Sequence, residues 1–338
     1  MPEDKITLEH GAGGTAMMKL IKEIILKEFS LKRSGPVGLD ELDDGAAVTI
    51  GENTLIFTTD SHTVKPLFFP GGDIGRLAVA GTVNDIAVMG GNPLAMACAV
   101  VLREGFPIED YRKICQSMDA AAREVNVPIV TGDMKVVERG ALDEMIITTT
   151  GIGIANPLKT DAMLKPGEKI LITGTVGDHG AAILACREGI DVEGELKSDV
   201  SPVWETIRAA MKAGEVSAMK DPTRGGVAMA LNEIAPKSKV GIVLDEENIP
   251  ISGPVRSLTE MLGIDPLSLT NEGKAIICVR AKDCDAVLSA VQKTKYGKNA
   301  RVIGEATEEN PGTVILRTAG GGRRLLRPPI GDPIPRIC

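Results

Sequence analysis

The sequence predicts an α/β (α+β) protein of two domains with a short separate tail. Three observations carry this expectation. Strand-like apolar runs alternate with helix-period segments in both halves of the chain. The 338 residues exceed the ordinary size of one domain. Hydrophobic residues make up 43% and charged residues 25%, the balance of a folded chain rather than a disordered one. Aromatics are only 2%, so the core must be built from Ile, Leu, Val, Ala and Met.

The first helix is expected from Thr15 to Phe29, where Met17, Met18, Leu20, Ile21, Ile24, Ile25 and Phe29 recur at helical spacing behind Thr15 as N-cap. After the acidic turn LDELDDGAAV, strands are expected at Ala46–Ile50 and Leu55–Thr59. Asp73–Met89 reads as a helix closed by Gly90-Gly91, and Pro107 opens another that runs to about Val125. Strands follow at Pro128–Thr131 and Glu144–Ala155. The boundary is placed near residue 156, giving domains 1–155 and 156–326. In the second half, LKPGEKILITGTVGDHGAAILACREG reads as strand, Gly-rich turn and helix. Further helices are expected at Pro202–Ala213, Gly226–Ala235 and Pro254–Leu262, with strands near Val240–Leu244 and Lys274–Arg280. Residues 327–338, RPPIGDPIPRIC, form the tail. Pro328, Pro329, Pro333 and Pro335 bar a helix or central strand there and predict an extended, semi-rigid and mobile arm, with Gly331 as a hinge.

A net charge of −8 argues against a nucleic-acid or anionic-membrane partner. No uninterrupted apolar run is long enough to span a bilayer, and the N-terminus lacks the pattern of a signal peptide. The six cysteines form no CxxC pair, which fits reduced thiols in the cytoplasm. Five of them, Cys98, Cys115, Cys186, Cys278 and Cys284, read as buried small hydrophobes; the sixth, Cys338, ends the chain.

Carboxylates recur in a common setting. Asp43 and Asp44 precede a strand. Asp60 closes LIFTTD and Asp133 closes VPIVTGD, each where a strand is expected to give way to a turn. Asp221 opens DPTRGG. Asp85 lies in an apolar helix, where a buried unpaired carboxylate needs a cation or strong donors. Mg²⁺ on phosphate oxygens would supply one. Singly, each of these residues also reads as a turn-former or cap. No P-loop is present; HGAGGTA matches a Rossmann fingerprint only weakly, though a Gly-rich loop opening a helix can hold phosphate through its backbone N–H groups.

Several segments together resemble one superfamily. They are LEHGAGG (8–14), LDDGAA (42–47), TTDSHTVKPLFFPGGDIGRLAVAGTVNDIAVMG (58–90), TGDMKVV (131–137), GDHGAAI (177–183), DPTRGG (221–226), NEGK (271–274) and PRIC (335–338). The superfamily includes aminoimidazole ribonucleotide synthetase and selenophosphate synthetase. Within it, the chain resembles the hydrogenase maturation carbamoyl dehydratases. Met134 departs from the pattern, standing where a small polar residue is expected. His10–Thr15 contains no Cys, unlike a selenophosphate synthetase.

The resemblance implies a two-domain synthetase-type fold, a homodimer with a barrel-like interface between N-terminal domains, and ATP with Mg²⁺ as cofactors. It implies a carbamoyltransferase partner, HypF, which loads the thiol of Cys338. ATP-dependent dehydration of the S-carboxamide to an S-thiocyanate would follow, then transfer of the cyano group to iron on a HypC–HypD scaffold. Asp44, Asp60, Asp85, Asp133 and Asp221 are the implied Mg²⁺ residues. Asp43, Asn84, Gly132, Thr223 and His10 join them around ATP and phosphate. Cys338, Glu272 as general base and Lys135 as polarising cation are the implied catalytic residues. On the bare sequence Lys135 reads as a surface charge, Glu272 as a turn cap, His62 and His179 as structural histidines, and Cys338 as a frayed end. A small-molecule ATP-dependent kinase or synthetase of the same superfamily is the alternative activity, and a non-catalytic carrier docking an iron scaffold is the alternative of another class.

Overall fold

The computed structural model describes residues 5–155, 157–330 and 336–338. Two sheets organise them. The first is built from β1 (Ala46–Ile50), β2 (Asn53–His62), β3 (Gly91–Arg103), β4 (Ile129–Val137) and β5 (Met145–Ala155), in the order β1-β2-β5-β3-β4. All neighbours are antiparallel except β3 and β4. The second contains β6 (Lys169–Ile172), β7 (Val216–Lys220), β8 (Gly241–Asp245), β9 (Ile276–Val279), β10 (Arg301–Thr307), β11 (Val314–Arg317) and β12 (Arg323–Leu325), in the order β12-β11-β8-β10-β6-β9-β7.

The helix with the most buried sequence lies between the two sheets. The first helix, α1 (Thr15–Leu20), is continued by a π-helical turn at Ile21–Ile25 and an α-helical end at Leu26–Glu28. Its N-cap is Gly14, not Thr15. The next, α2 (Ile74–Val88), is capped by Asp73, whose Oδ1 accepts the N–H of Gly75 at 2.7 Å and of Arg76 at 3.0 Å. Every residue of α2 except Arg76 and Asp85 is buried. A helix apolar on all sides must be covered on all sides. It lies on β2 and β5 and also meets α3 (Ile108–Val125), β7 and the second half's Trp204–Ala213 helix. Gly151 and Gly153, on the α2 face of β5, make that approach possible: a Cβ on Gly153 would stand 2.4 Å from Ile86 Cγ2. The remaining longer helices are α4 (Asp178–Glu188), α5 (Trp204–Ala213), α6 (Gly226–Ser238), α7 (Gly253–Leu262) and α8 (Cys284–Gln292).

Several expectations need correction. Asp60 and Asp133 do not end their strands, because β2 continues to His62 and β4 to Val137, each kept extended by pairing with a neighbour. The central strand β3 was not expected at all. Of the five cysteines read as buried, only Cys278 and Cys284 are; Cys98 is half-buried, and Cys115 and Cys186 are exposed. Cys115 follows the inward-facing Ile114 by one residue, a rotation of about 100° around the helix. In the tail, Gly331, Pro333 and Pro335 lie outside the described residues, but the chain end is packed: Ile337 is 2% exposed and Cys338 half-buried.

Candidate active site

Five carboxylates meet where α2 faces the second half of the chain. Asp60 projects from the inner face of β2, Asp85 from α2, Asp44 from the loop before β1, Asp221 from the end of β7 and Glu272 from the turn before β9. Burial, and after it the mutual repulsion of these groups, raises the carboxyl pKa of Asp85, Asp221 and Glu272 well above the usual range. For Asp85 the repelling neighbours are Asp60, Asp221 and Asp44; for Asp221, Asp44 and Asp60; for Glu272, Asp221, Asp199 and Asp60. Burial, with Asp44 and Asp161, also pushes Asp43 up to about 7.

Hydrogen bonds position the cluster and leave part of it unanswered. Thr58 Oγ1 lies 2.7 Å from Asp85 Oδ2 and 2.9 Å from the Asp44 carbonyl, so its single proton serves one at a time. Lys220 Nζ donates to Asp44 Oδ1 and lies 3.3 Å from Glu233. Asn84 accepts the N–H of Val203 at 2.8 Å and donates to the carbonyls of Ser201 and Glu272 at 3.2 and 3.4 Å. Among the described residues, Asp44 Oδ2, Asp221 Oδ2, Glu272 Oε1 and His62 Nε2 are buried without a hydrogen-bond partner. Three carboxylate oxygens so left are hard oxygen donors of the kind Mg²⁺ takes. No three of these side chains converge closely enough to enclose a metal alone, among the described residues. Mg²⁺ typically takes one or two carboxylates, with phosphate oxygens and water as its remaining ligands.

Two side chains that sequence reasoning missed hold the cluster together. Lys220 directly precedes Asp221, and that adjacency was the available signal. Asp199 Oδ1 accepts the Glu272 N–H at 3.1 Å; its Oδ2 accepts Gly273 N–H at 3.1 Å and Lys274 Nζ at 2.9 Å. Burial alone would raise the Asp199 pKa, but Lys274 and these donors outweigh it and hold it low.

Other expected site residues stand apart. Asp133 and Lys135 pair with each other at 2.7 Å on the exposed edge strand β4. Gly132 and Asp133 line a different cleft of about 1390 Å³, bounded by α3 and by Trp204. Gly132 is required there, since a Cβ would stand 2.0 Å from the Cys98 carbonyl oxygen. Asp43 sits behind the cluster, its carboxylate accepting the N–H groups of Asp44 and Asp161. Thr223 belongs to the turn ahead of α6, where its carbonyl accepts the Gly226 N–H at 2.9 Å. His10 is bonded to Thr7 through Nδ1 and lines a cavity of about 320 Å³ with Thr63, Arg224 and Cys338. Arg224 lines this cavity three residues after Asp221, and its positive charge works against the raised pKa of Glu272.

Comparison with known proteins points to one family. The model for the N-terminal domain of AIR synthase related proteins matches residues 42–155, and that for their C-terminal domain matches 165–317. A putative hydrogenase expression/formation protein of Methanocaldococcus jannaschii is 48% identical over 99% of this chain and all of its own. The carbamoyl dehydratase HypE of Cupriavidus necator is 44% identical over 99% of this chain and 95% of its own. A crystal structure of a HypE–HypF complex gives a TM-score of 0.86 at 42% identity, over 92% of this chain and 99% of that one. One of HypE in complex with ATP gives 0.82 at 39% identity, over 99% and 100%.

Proposed function

The chain belongs to the AIR synthase related family, among the relatives named carbamoyl dehydratase HypE, and from that premise we infer that it is a hydrogenase maturation dehydratase that uses ATP. The observation that carries the reading is the placement of the chain end. Cys338 lines one cavity with Arg224, which follows Asp221 of the acidic cluster by three residues in DPTRGG.

We propose that the substrate is the S-carboxamide of Cys338, formed by a HypF-type carbamoyltransferase. Oxide is a poor leaving group from an amide carbon. Transfer of the γ-phosphoryl group of ATP to the amide oxygen makes that oxygen leave as phosphate. The nitrogen loses two protons as the C≡N bond forms, so carboxamide and ATP give thiocyanate, ADP, phosphate and a proton. Glu272 accepts a proton; burial raises its proton affinity above that of a free carboxylate, the direction a general base needs. Asp44, Asp60, Asp85 and Asp221 would hold Mg²⁺, which neutralises charge on the phosphates when bound. The cyano group then passes to iron on a HypC–HypD scaffold.

We also propose the division of labour. Residues 1–155 bind ATP and form the homodimer, 156–326 complete the site, and 327–338 carry the thiol. The outer face of the first sheet exposes Phe57, with Ile152, Ala97 and Val101 on the same face, an apolar surface suited to a second copy. In that arrangement Asp133 and Lys135 act from the interface, Lys135 polarising the carboxamide oxygen. No helix among the described residues is long and apolar enough to cross a membrane, and we place the protein in the cytoplasm.

The test is phosphate release from Mg-ATP by protein carbamoylated at Cys338. It should occur once per loaded thiol, and removal of the last four residues should abolish it. A small-molecule kinase or synthetase would keep turnover on a soluble substrate after that truncation, and such a result overturns the reading.

A further inference from the structure

His179 holds the end of the chain, and the chemistry above gives it no part. It lies in the first turn of α4, fully buried, with its ring edge-on to Phe69 at a centroid distance of 5.5 Å. Its Nε2 is 2.9 Å from the carbonyl oxygen of Ile337. A carbonyl only accepts, so Nε2 carries the proton. Burial lowers the pKa of this ring, while Asp199 and the Ile337 carbonyl work the other way. In the neutral ring Nδ1 is an acceptor, and Ser198 Oγ, 2.7 Å away, donates to it. Ser198 Oγ in turn accepts the N–H of Val200 at 3.1 Å. Every donor in this chain meets an acceptor, and a single tautomer satisfies all of them.

The backbone on either side of Ile337 is held as well. The N–H of Thr63 donates to the Cys338 carbonyl at 2.9 Å, and that of Lys65 donates to the Arg336 carbonyl at 3.2 Å. Arg187 adds a bond to the Arg336 carbonyl at 3.0 Å. The side chain of Ile337 is buried in the main core.

We propose that His179, its tautomer fixed by Ser198, is the positioning residue of a docking site for the chain's last three residues. It recognises the carbonyl of a buried aliphatic residue one position before the terminal cysteine and so sets where the Cys338 thiol rests. The value of this device for catalysis rests on the proposed function; the docking itself does not.

The experiment uses the full-length protein without ATP or transferase. Alkylation of Cys338 by N-ethylmaleimide is timed by the mass of the C-terminal peptide, and Cys278, buried in the second sheet, reports the integrity of the fold. Losing the His179 bond in His179→Ala should speed alkylation of Cys338 about tenfold while Cys278 stays protected. His179→Gln, whose amide N–H can donate to the same carbonyl, should return the rate to within about twofold of wild type. A His179→Ala rate within about twofold of wild type, with Cys278 protected, overturns the proposal. If that variant exposes Cys278, Ser198→Ala decides: faster alkylation supports the docking site, and an unchanged rate overturns it. With no nucleotide present, the readout is independent of whether the carboxamide is dehydrated.

Discussion

Lys220 donates to one carboxylate oxygen of Asp44, and the other oxygen of Asp44 is buried without a hydrogen-bond partner among the described residues. One side chain is thus both anchored and available. Lys220 is 7% exposed and lies 3.6 Å from Asp161 as well as near Glu233. Its charge offsets part of the repulsion around Asp44 and Asp221.

Lys220→Met should therefore destabilise the protein. Removing one partner of a buried ion pair strands the other charges and typically costs about 3–5 kcal/mol. The check is the urea midpoint without nucleotide, which should fall. An unchanged midpoint would show that Asp44 and Asp161 do not depend on Lys220.

Asp85→Asn separates metal binding from folding. It removes a carboxyl whose charged form is disfavoured by burial and by Asp60, Asp221 and Asp44, so the ligand-free melting temperature should hold or rise. The gain in stability from Mg-ATP, about 2.7 kcal/mol at a hundredfold excess over Kd, should largely disappear. Phosphate release should collapse with it. Full stabilisation of the variant by Mg-ATP would remove the metal site as described.

Asp199 gives the pH dependence. Its pKa in the fold is depressed, so its contribution is fully present above the unfolded value of about 3.9 and is lost as pH falls through the folded value. Asp199→Asn should lower stability at neutral pH and flatten the loss below about pH 4. It should also slow dehydration, because the N–H groups of Glu272 and Gly273 lose their charged acceptor. Denaturant curves at neutral and acid pH, with phosphate-release rates, check both.

Gly132→Ala should loosen β4 from β3. The added methyl would meet the Cys98 carbonyl at 2.0 Å, and backbone cannot yield to it cheaply. A loss of roughly 1–3 kcal/mol is expected, and faster amide exchange at Asp133–Lys135 would localise it.

The sequence disclosed local structure better than convergence. The helix Ile74–Val88 was legible to within a residue at each end, because Asp73, an unbroken apolar run and Gly90-Gly91 all agree. The π-helical turn at Ile21–Ile25 has no sequence signal of its own. Strand β3 was hidden by Pro93 and by a run of Ala, Met, Cys and Val that carries no polar alternation. Asp44, Asp60, Asp85, Asp221 and Glu272 were named in advance, but that they face one another depends on packing α2 against the second sheet. Lys220 and Asp199 escaped for the same reason: their partners are distant in sequence. The tail's composition suggested reach, and nothing in it announced that His179 would bind its penultimate carbonyl.

The central claim is that the protein's own terminal sulfur carries the group being dehydrated. The most direct measurement is the mass of the C-terminal peptide after carbamoyl phosphate and a carbamoyltransferase, and again after Mg-ATP. The account predicts that Cys338 gains a carboxamide in the first step and loses the mass of one water in the second. A loaded Cys338 that keeps its full mass while ATP is consumed would contradict it.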